Sequence, residues 1–189
     1  MATPFLAINW RDGGTPQLRR YVSGSDSPVG VTFGSLETGT STANMVHQRV
    51  VVFGGSSTFI AVINTGIYRS TNGGAAWGSV HADAILTGPS CTGPYVLYPG
   101  GVPTLVVLAW NTSTSWYLFT STDGVTWNKS GAQTLFIGGP SVHGVTVWRG
   151  ALYGFTHDAG FGAAQLIRWT TNSATVVSGG VDNPASTQP

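Results

Sequence analysis

A short polar turn recurs along this chain at nearly constant spacing, and this recurrence constrains the fold more than any other feature. The two clearest copies are Ser70-Thr71-Asn72-Gly73-Gly74-Ala75-Ala76-Trp77 and Ser121-Thr122-Asp123-Gly124-Val125-Thr126-Trp127, and a degenerate third copy occupies residues 170–176. Asn72, Asp123 and Asn172 are separated by 51 and 49 residues. A period of this length indicates a repeated supersecondary unit.

Short runs of β-branched and aromatic residues alternate with turn-forming Gly, Asn, Asp and Pro along the whole chain. Such a pattern is typical of all-β folds. Each period holds four of these runs, and four-stranded sheets repeated around an axis make a β-propeller. One sheet cannot bury both of its faces, whereas neighbouring sheets can cover each other. We therefore predict an all-β propeller of four-stranded antiparallel blades with a period of about 50 residues, and no helix.

The predicted propeller extends over residues 1–180, with blades at approximately 1–34, 45–80, 88–130 and 140–178. The last strand of the third blade is predicted to begin at Thr126, Arg149-Gly150 is predicted to be a turn, and residues 179–189 are predicted to be loop. The first segment supplies only three strands, so a ring of four blades lacks one. Residues 181–189 are a poor candidate for it, because their two prolines disfavour a central strand, and they are a tail or the start of a further segment. A small ring could close irregularly, the chain could be the N-terminal part of a larger propeller, or neighbouring chains could cover open edges.

The recurring turn resembles the Asp-box, or BNR, repeat of sialidase-type proteins, which has the pattern Ser-x-Asp-x-Gly-x-Thr-Trp. The residues that match this pattern in the first and second copies are Ser70, Asn72, Gly74, Trp77, Ser121, Asp123, Thr126 and Trp127. The resemblance implies a turn between the third and fourth strands of a blade. In it the Asp or Asn side chain accepts backbone N–H groups, and the Trp packs between sheets. It implies a structural role for these residues, including Asp123.

The resemblance does not carry sialidase chemistry to this chain. Sialidases use an arginine triad, a Tyr–Glu pair and an acid Asp, but the Arg-Ile-Pro signature is missing and the single Glu, Glu37, has no neighbouring Tyr. A glycosidase needs two carboxyl groups at one cleft, and the chain has seven acidic residues in all. The lone Cys91 and four scattered histidines do not form a metal-binding motif. We predict no enzymatic activity, no catalytic residue, no metal and no cofactor.

Charge is scarce in this chain. Only 8% of the residues are charged, against about 25% in typical proteins, and the net charge is +1. This balance predicts no nucleic-acid partner. No apolar run reaches the roughly 20 residues of a membrane-spanning helix, so we predict no membrane insertion. The first ten residues lack the basic and apolar regions of a secretory signal.

The strand assignment also predicts one face that is suited to binding. In a propeller the loops between second and third strands share a face with the links between blades. Trp110 and Trp116 flank a hydroxyl-rich loop that begins at Asn111, and His157 and Asp158 occupy the corresponding loop of the next blade. Aromatic rings beside amides suit stacking on a sugar or packing against a protein, which makes these residues binding candidates. For both Trp residues the alternative is a place in the core between blades.

The leading functional hypothesis is a non-enzymatic structural or host-recognition module of a virion, such as a phage tail, fibre or capsid-surface component. Members of the repeat family are mostly extracellular, so the expected location is a virion or an extracellular surface. A surface poor in charge suits burial against other protein subunits, including copies of this chain, because buried unpaired charge is costly. The alternatives are a propeller that binds a surface glycan and a glycoside hydrolase that uses Asp83 or Asp158.

Overall fold

The computed structural model describes residues 7–12, 15–20, 29–30, 32–33, 50–63, 66–86, 91–110, 115–134, 140–158, 164–171 and 173–181. Within these ranges the chain forms β-strands and two short 3₁₀ turns, at Ala84–Leu86 and Pro99–Gly101, and no α-helix. The predicted all-β class is therefore confirmed. The chain divides into two compact units, Met1–Pro94 with Asp123–Trp127, and Tyr95–Thr122 with Asn128–Pro189.

The first and second sheets are built from the N-terminal half of the chain. The first sheet is antiparallel, with its strands in the order β1 (Ala7–Asp12), β2 (Thr15–Arg20) and β3 (Val29–Gly30). The second sheet contains β4 (Thr32–Phe33), β5 (Val50–Val52), β6 (Phe59–Ile63), β7 (Gly66–Ser70) and β8 (Ala76–Ala82). Strands β5 to β8 are antiparallel neighbours in chain order, and β4 pairs in parallel with the outer edge of β8.

The third and fourth sheets follow the same plan. The third contains β9 (Cys91–Leu97), β10 (Thr104–Trp110), β11 (Ser115–Ser121), β12 (Asn128–Lys129) and β13 (Gln133–Thr134). Strands β9 to β12 are neighbours in chain order, and β13 also pairs with β11. The fourth contains β14 (Pro140–Trp148), β15 (Ala151–Asp158), β16 (Ala164–Trp169) and β17 (Ala174–Val181), again in chain order.

The second, third and fourth sheets therefore each contain an antiparallel meander of four strands. The recurring polar turn joins the third and fourth strands of each meander, β7 to β8, β11 to β12 and β16 to β17. The local reason is turn chemistry, since Gly73 and Gly74 have φ values of 73° and 79°, and Gly124 has a φ of 71°. L-residues with side chains rarely adopt this left-handed conformation, whereas glycine adopts it at little cost.

One apolar core joins the third and fourth sheets within the second unit. Its members come from both sheets and are Tyr95, Leu97, Val106, Leu108, Trp110, Trp116, Leu118, Val142, Leu152, Ile167 and Trp169. The Trp116 ring lies 5.2 Å from that of Trp110 in its own sheet and 5.5 Å from that of Trp169 in the fourth sheet. Aromatic pairs at such distances add to the free energy gained from burial alone, so these three rings anchor the contact between the two sheets.

The second sheet has its own buried residues in the first unit. Phe59, Ile60 and Ile67 are buried on β6 and β7, and the ring of Phe59 lies 6.4 Å from that of Trp77 on β8. The backbone N–H of Gly73 donates to the carbonyl of Ser57 at 2.9 Å. This bond fastens the polar turn to the turn between β5 and β6, at the same end of the sheet.

Three strand boundaries differ from the prediction. The fourth strand of the third sheet begins at Asn128 and not at Thr126, because the Asp123 side chain holds the N–H group of Thr126. Strand β8 continues through His81 to Ala82, which pairs with Gly66. Strand β17 continues to Val181, which pairs with Ala164, so residues 179–181 are not loop. The rest of the tail lies outside the described residues.

Candidate functional site

The first polar turn is a network centred on the buried hydroxyl of Ser70. This hydroxyl donates to Asn72 Oδ1 at 2.9 Å and accepts the backbone N–H of Gly74 at 2.9 Å. Asn72 Oδ1 also accepts the N–H of Ala76 at 2.9 Å, and the indole Nε1 of Trp77 donates to the carbonyl of Gly74 at 3.1 Å. The side chains thereby supply partners for polar groups that the tight turn removes from the strand ladder.

The second turn uses a carboxylate in the same place. Asp123 Oδ1 accepts the backbone N–H groups of Val125 at 2.8 Å and Thr126 at 2.7 Å. Ser121, which corresponds to Ser70, is again buried, whereas Thr126 is exposed. The Asp123 oxygen that holds the turn is thus occupied by two backbone N–H groups.

The tryptophans that end these two turns, Trp77 and Trp127, differ in one contact. Trp77 and Trp127 are both largely buried, at 9% and 8% exposure. The Trp127 Nε1 atom is buried and has no hydrogen-bond partner in the described part of the chain, whereas Trp77 donates to Gly74. The second turn is one residue shorter. We attribute the difference to this deletion, which removes a residue from the segment that provides the acceptor in the first turn.

The third turn keeps the hydroxyl and part of the network. Thr170 Oγ1 accepts the N–H of Ser173 at 3.1 Å, and the N–H of Thr170 donates to the Ser173 carbonyl at 2.8 Å. The Thr170 side chain is only half-buried. Asn172, the third member of the repeated series, lies outside the described residues. The degenerate copy is therefore a turn held by a hydroxyl, as the turn of the second sheet is by Ser70.

The structure places the predicted binding residues of the third sheet in the core. Trp110 is the last residue of β10 and pairs with Trp116 on β11, and their exposures are only 5% and 1%. Neither indole offers a ring face to a sugar or a partner, because both pack in the cluster that joins the third and fourth sheets. This corrects their interpretation as a binding platform and favours the core alternative. Asn111 lies outside the described residues.

His157 and Asp158 are the last two residues of β15, in the fourth sheet. His157 pairs with Ser141 on one side and Ala164 on the other, and Asp158 pairs with Pro140. The structure describes the backbone of these two residues and not their side chains, so their candidacy as binding residues stays a prediction. Both belong to a regular strand and not to the loop that the sequence predicts.

A different set of residues forms the exposed aromatic surface of the fourth sheet. Strand alternation and cross-strand register place Trp148, Tyr153, Phe155, Leu166 and Arg168 on one side, which we call the outer face. Leu152, Ile167 and Trp169 lie on the opposite, buried side. Trp148 is 53% exposed and Phe155 is 48% exposed. Sequence reasoning missed this face, although the uninterrupted apolar run Ala151-Leu152-Tyr153-Gly154-Phe155 at the start of β15 is a signal that indicates two apolar sides.

The outer face ends in a two-residue hairpin turn formed by Arg149 and Gly150. The Arg149 guanidinium carbon lies 4.5 Å from the centre of the Trp148 ring, a cation–π contact. The ring of Tyr153 meets Trp148 edge-on, with centroids 5.5 Å apart. Sequence analysis predicts the turn itself, but not that it carries a stacked aromatic–cation pair.

Two titratable groups in the first unit are shifted by burial. Burial raises the pKa of the Cys91 thiol to about 12, and the thiol donates to the Leu86 carbonyl with an Sγ–O distance of 3.4 Å. Burial also raises the pKa of Tyr68. Both shifts favour the neutral form, so Cys91 is an unreactive thiol at neutral pH.

The described residues contain neither a metal-binding cluster nor a membrane-spanning helix. No group of three or more His, Cys, Asp and Glu side chains in this part of the chain is arranged to hold a metal ion. None of the helical segments within it has the length and apolarity needed to cross a membrane. Comparison of the sequence with protein-family models and with curated proteins finds no match.

Proposed function

We propose that the four-stranded meanders are Asp-box blades of a β-propeller of about four blades, or of the N-terminal part of a larger one. The position of the polar turn supports this proposal, because in all three meanders it joins the third strand to the fourth. The hydrogen bonds that Asn72 and Asp123 accept from backbone N–H groups also support it, because they are the contacts that the Asp-box resemblance implies. Face-to-face packing of the third and fourth sheets is what neighbouring blades require.

We propose that this fold serves a non-enzymatic structural or recognition module of a virion, which acts through contacts with other protein subunits. The observation that carries the proposal is the outer face of the fourth sheet. Covering the half-exposed side chains of Trp148 and Phe155 with a partner would contribute about 1 kcal/mol each to the free energy of association. A contiguous apolar surface of this kind is typical of protein contact sites. The scarcity of charge in the whole chain suits such burial.

The first test is the molar mass of the native protein in its source, measured by light scattering on the unfractionated particle. We expect a mass far above the 19.6 kDa of one chain. The second test compares Phe155→Ser, on the outer face, with Tyr98→Ser, a matched control. Tyr98 is 62% exposed and lies in the turn after β9, in the third sheet.

The two variants separate assembly through the outer face from general loss of exposed aromatic surface. We expect the Phe155→Ser variant not to be incorporated into the particle, whereas the Tyr98→Ser variant is incorporated. Circular dichroism should show that both variants are folded. A native mass near that of one chain would refute the assembly proposal. Equal behaviour of the two variants would refute the role of the outer face.

A further inference from the structure

The hairpin tip of the fourth sheet has a backbone geometry that its sequence does not favour. Arg149 and Gly150 have φ values of 46° and 76°, so both residues of this two-residue turn are left-handed. Turns of this type prefer Asn-Gly, because a longer L-side chain is strained in that conformation. Arg149 is the one non-glycine residue with positive φ in the described part of the chain. Turn formation therefore does not explain why an arginine occupies this position.

The contacts of Arg149 suggest what it does instead. Its guanidinium lies over the exposed ring of Trp148, which Tyr153 supports edge-on. A guanidinium that stacks through its flat face keeps its N–H edges available for a carboxylate. The stack also restricts the arginine side chain before any partner arrives, which lowers the entropy lost on binding.

A second arginine adds to the charge of the same surface. Arg168 on β16 is the cross-strand partner of Tyr153 and lies on the outer face. Among the side chains that the structure describes on this face and at its tip, none is acidic. Phe155 and Leu166 are cross-strand partners and continue the apolar surface. The outer face is thus apolar with positive charge, in a chain whose net charge is only +1.

We propose that the outer face and its hairpin tip form a docking site for an acidic segment of a partner protein. Carboxylates of that segment would bind Arg149 and Arg168, and its apolar side chains would cover the aromatic rings. Trp, Tyr and Arg are the residue types that most often anchor protein interfaces. The described side chains of this face include no amide or carboxylate to bind sugar hydroxyls, which favours a protein over a glycan. This inference rests on the proposed function and specifies the chemistry of the partner.

The test uses an array of short extended peptides in which Asp and Glu alternate with Leu, Val and Tyr. Each peptide is placed beside its Asn and Gln counterpart, and the full-length chain is the analyte. Arg149→Gly removes the guanidinium and relieves the left-handed strain, whereas Lys129→Gln removes one exposed positive charge from the third sheet and serves as the matched control. Trp148→Ala removes the ring under Arg149.

We expect acidic peptides to bind better than their amide counterparts and to bind less well at high salt. Arg149→Gly should weaken that binding about tenfold or more, since hydrogen bonds to charged groups are among the strong ones. The same variant should unfold at an unchanged or higher urea concentration, which separates lost binding from lost folding. Lys129→Gln should bind as the wild type does, and Trp148→Ala should bind less well.

Three results would overturn the inference. The first is an array in which no acidic peptide binds better than its amide counterpart. The second is equal binding by Arg149→Gly and Lys129→Gln. The third is binding of a carboxylated polysaccharide that depends on Arg149 while the peptides do not bind, which would make the tip a glycan site. A large native particle combined with any of these results would refute the acidic partner and leave the proposed assembly role standing. A single-chain mass combined with Arg149-dependent peptide binding would refute assembly alone.

Discussion

The Ser70 hydroxyl offers the sharpest test of the polar turn, because water cannot replace it as the acceptor of the buried Gly74 N–H. Replacing Ser70 with Ala removes the acceptor of the Gly74 N–H, which lies 2.9 Å away in a buried position. Leaving a buried donor unsatisfied costs about 1–3 kcal/mol. The donor to Asn72 Oδ1 is lost as well. We expect Ser70→Ala to lower the free energy of unfolding by about 2–3 kcal/mol.

Substitutions of the more exposed residues in these networks should lower the free energy of unfolding by less. Asn72→Ala removes an acceptor whose bond to the Ala76 N–H is exposed and whose bond to the Ser70 hydroxyl is only partly buried. Water can replace the exposed bond, so we expect a loss of about 0.5–1 kcal/mol in the free energy of unfolding. Asn72→Asp keeps the acceptor oxygen, as Asp123 does in the second turn, and should stay within about 0.5 kcal/mol of the wild type. Thr170→Ala removes the corresponding hydroxyl from a half-buried site, so it should lower the free energy of unfolding by less than Ser70→Ala does.

Urea unfolding followed by tryptophan fluorescence measures these differences. With a slope of about 2 kcal/mol per molar urea, Ser70→Ala should lower the midpoint by about 1 M. Hydrogen exchange of the Gly74 amide provides a local readout and should accelerate in this variant. The reasoning is refuted if Ser70→Ala unfolds within about 0.5 kcal/mol of the wild type. It is also refuted if Thr170→Ala or Asn72→Ala costs more than Ser70→Ala.

The remaining predictions concern the core and the thiol. Trp116→Ala should lower the free energy of unfolding by about 3–5 kcal/mol in the same urea assay, because the ring is fully buried. Gly154→Ala should cost about 1–3 kcal/mol, since its Cβ would lie 3.1 Å from the Trp169 ring, whereas Gly131→Ala meets no atom within 4 Å and should be neutral. Trp127→Phe removes a buried N–H without a described partner and should cost less than Trp77→Phe, which breaks the bond to the Gly74 carbonyl. The buried Cys91 thiol has a pKa of about 12, so it should resist a thiol reagent at pH 8 until urea unfolds the chain. The free energy of unfolding should fall as the pH rises above about 9, because the thiol ionises in the unfolded chain while it stays neutral in the folded protein. Two results would contradict this: a native protein that the reagent labels as fast as the unfolded chain, or a Cys91→Ala variant whose free energy of unfolding falls as steeply with pH as that of the wild type.

The strands were predictable because their signals are local. Runs of β-branched residues alternate with glycine-containing turns, and each such signal acts within a few residues of itself. The repeated turn also fixed the grouping of strands, since its spacing marks where the third strand of each meander ends. The prediction placed the start of the strand after Asp123 too early, because a side chain there takes two backbone N–H groups that a strand would use.

The parallel pairing of β4 with β8 was not predictable from local signals. Thr32 and Phe33 pair with Ala76 and Trp77, more than forty residues further along the chain. Nothing in two residues of sequence specifies a partner at such a distance. Pairing of this kind depends on which edge the folded second sheet leaves available.

The sequence by itself determined the strand content, the repeat and the chemistry of the polar turns, because these depend on residue type and short-range geometry. It did not determine which tryptophans are core and which are surface. Trp110, Trp116 and Trp148 all lie at strand ends beside polar turns, yet the first two are buried and the third is half-exposed. That difference arises only when the third and fourth sheets pack together, because packing covers one face of each sheet and leaves the other face of the fourth sheet to solvent. The candidate contact surface is therefore a property of the tertiary structure.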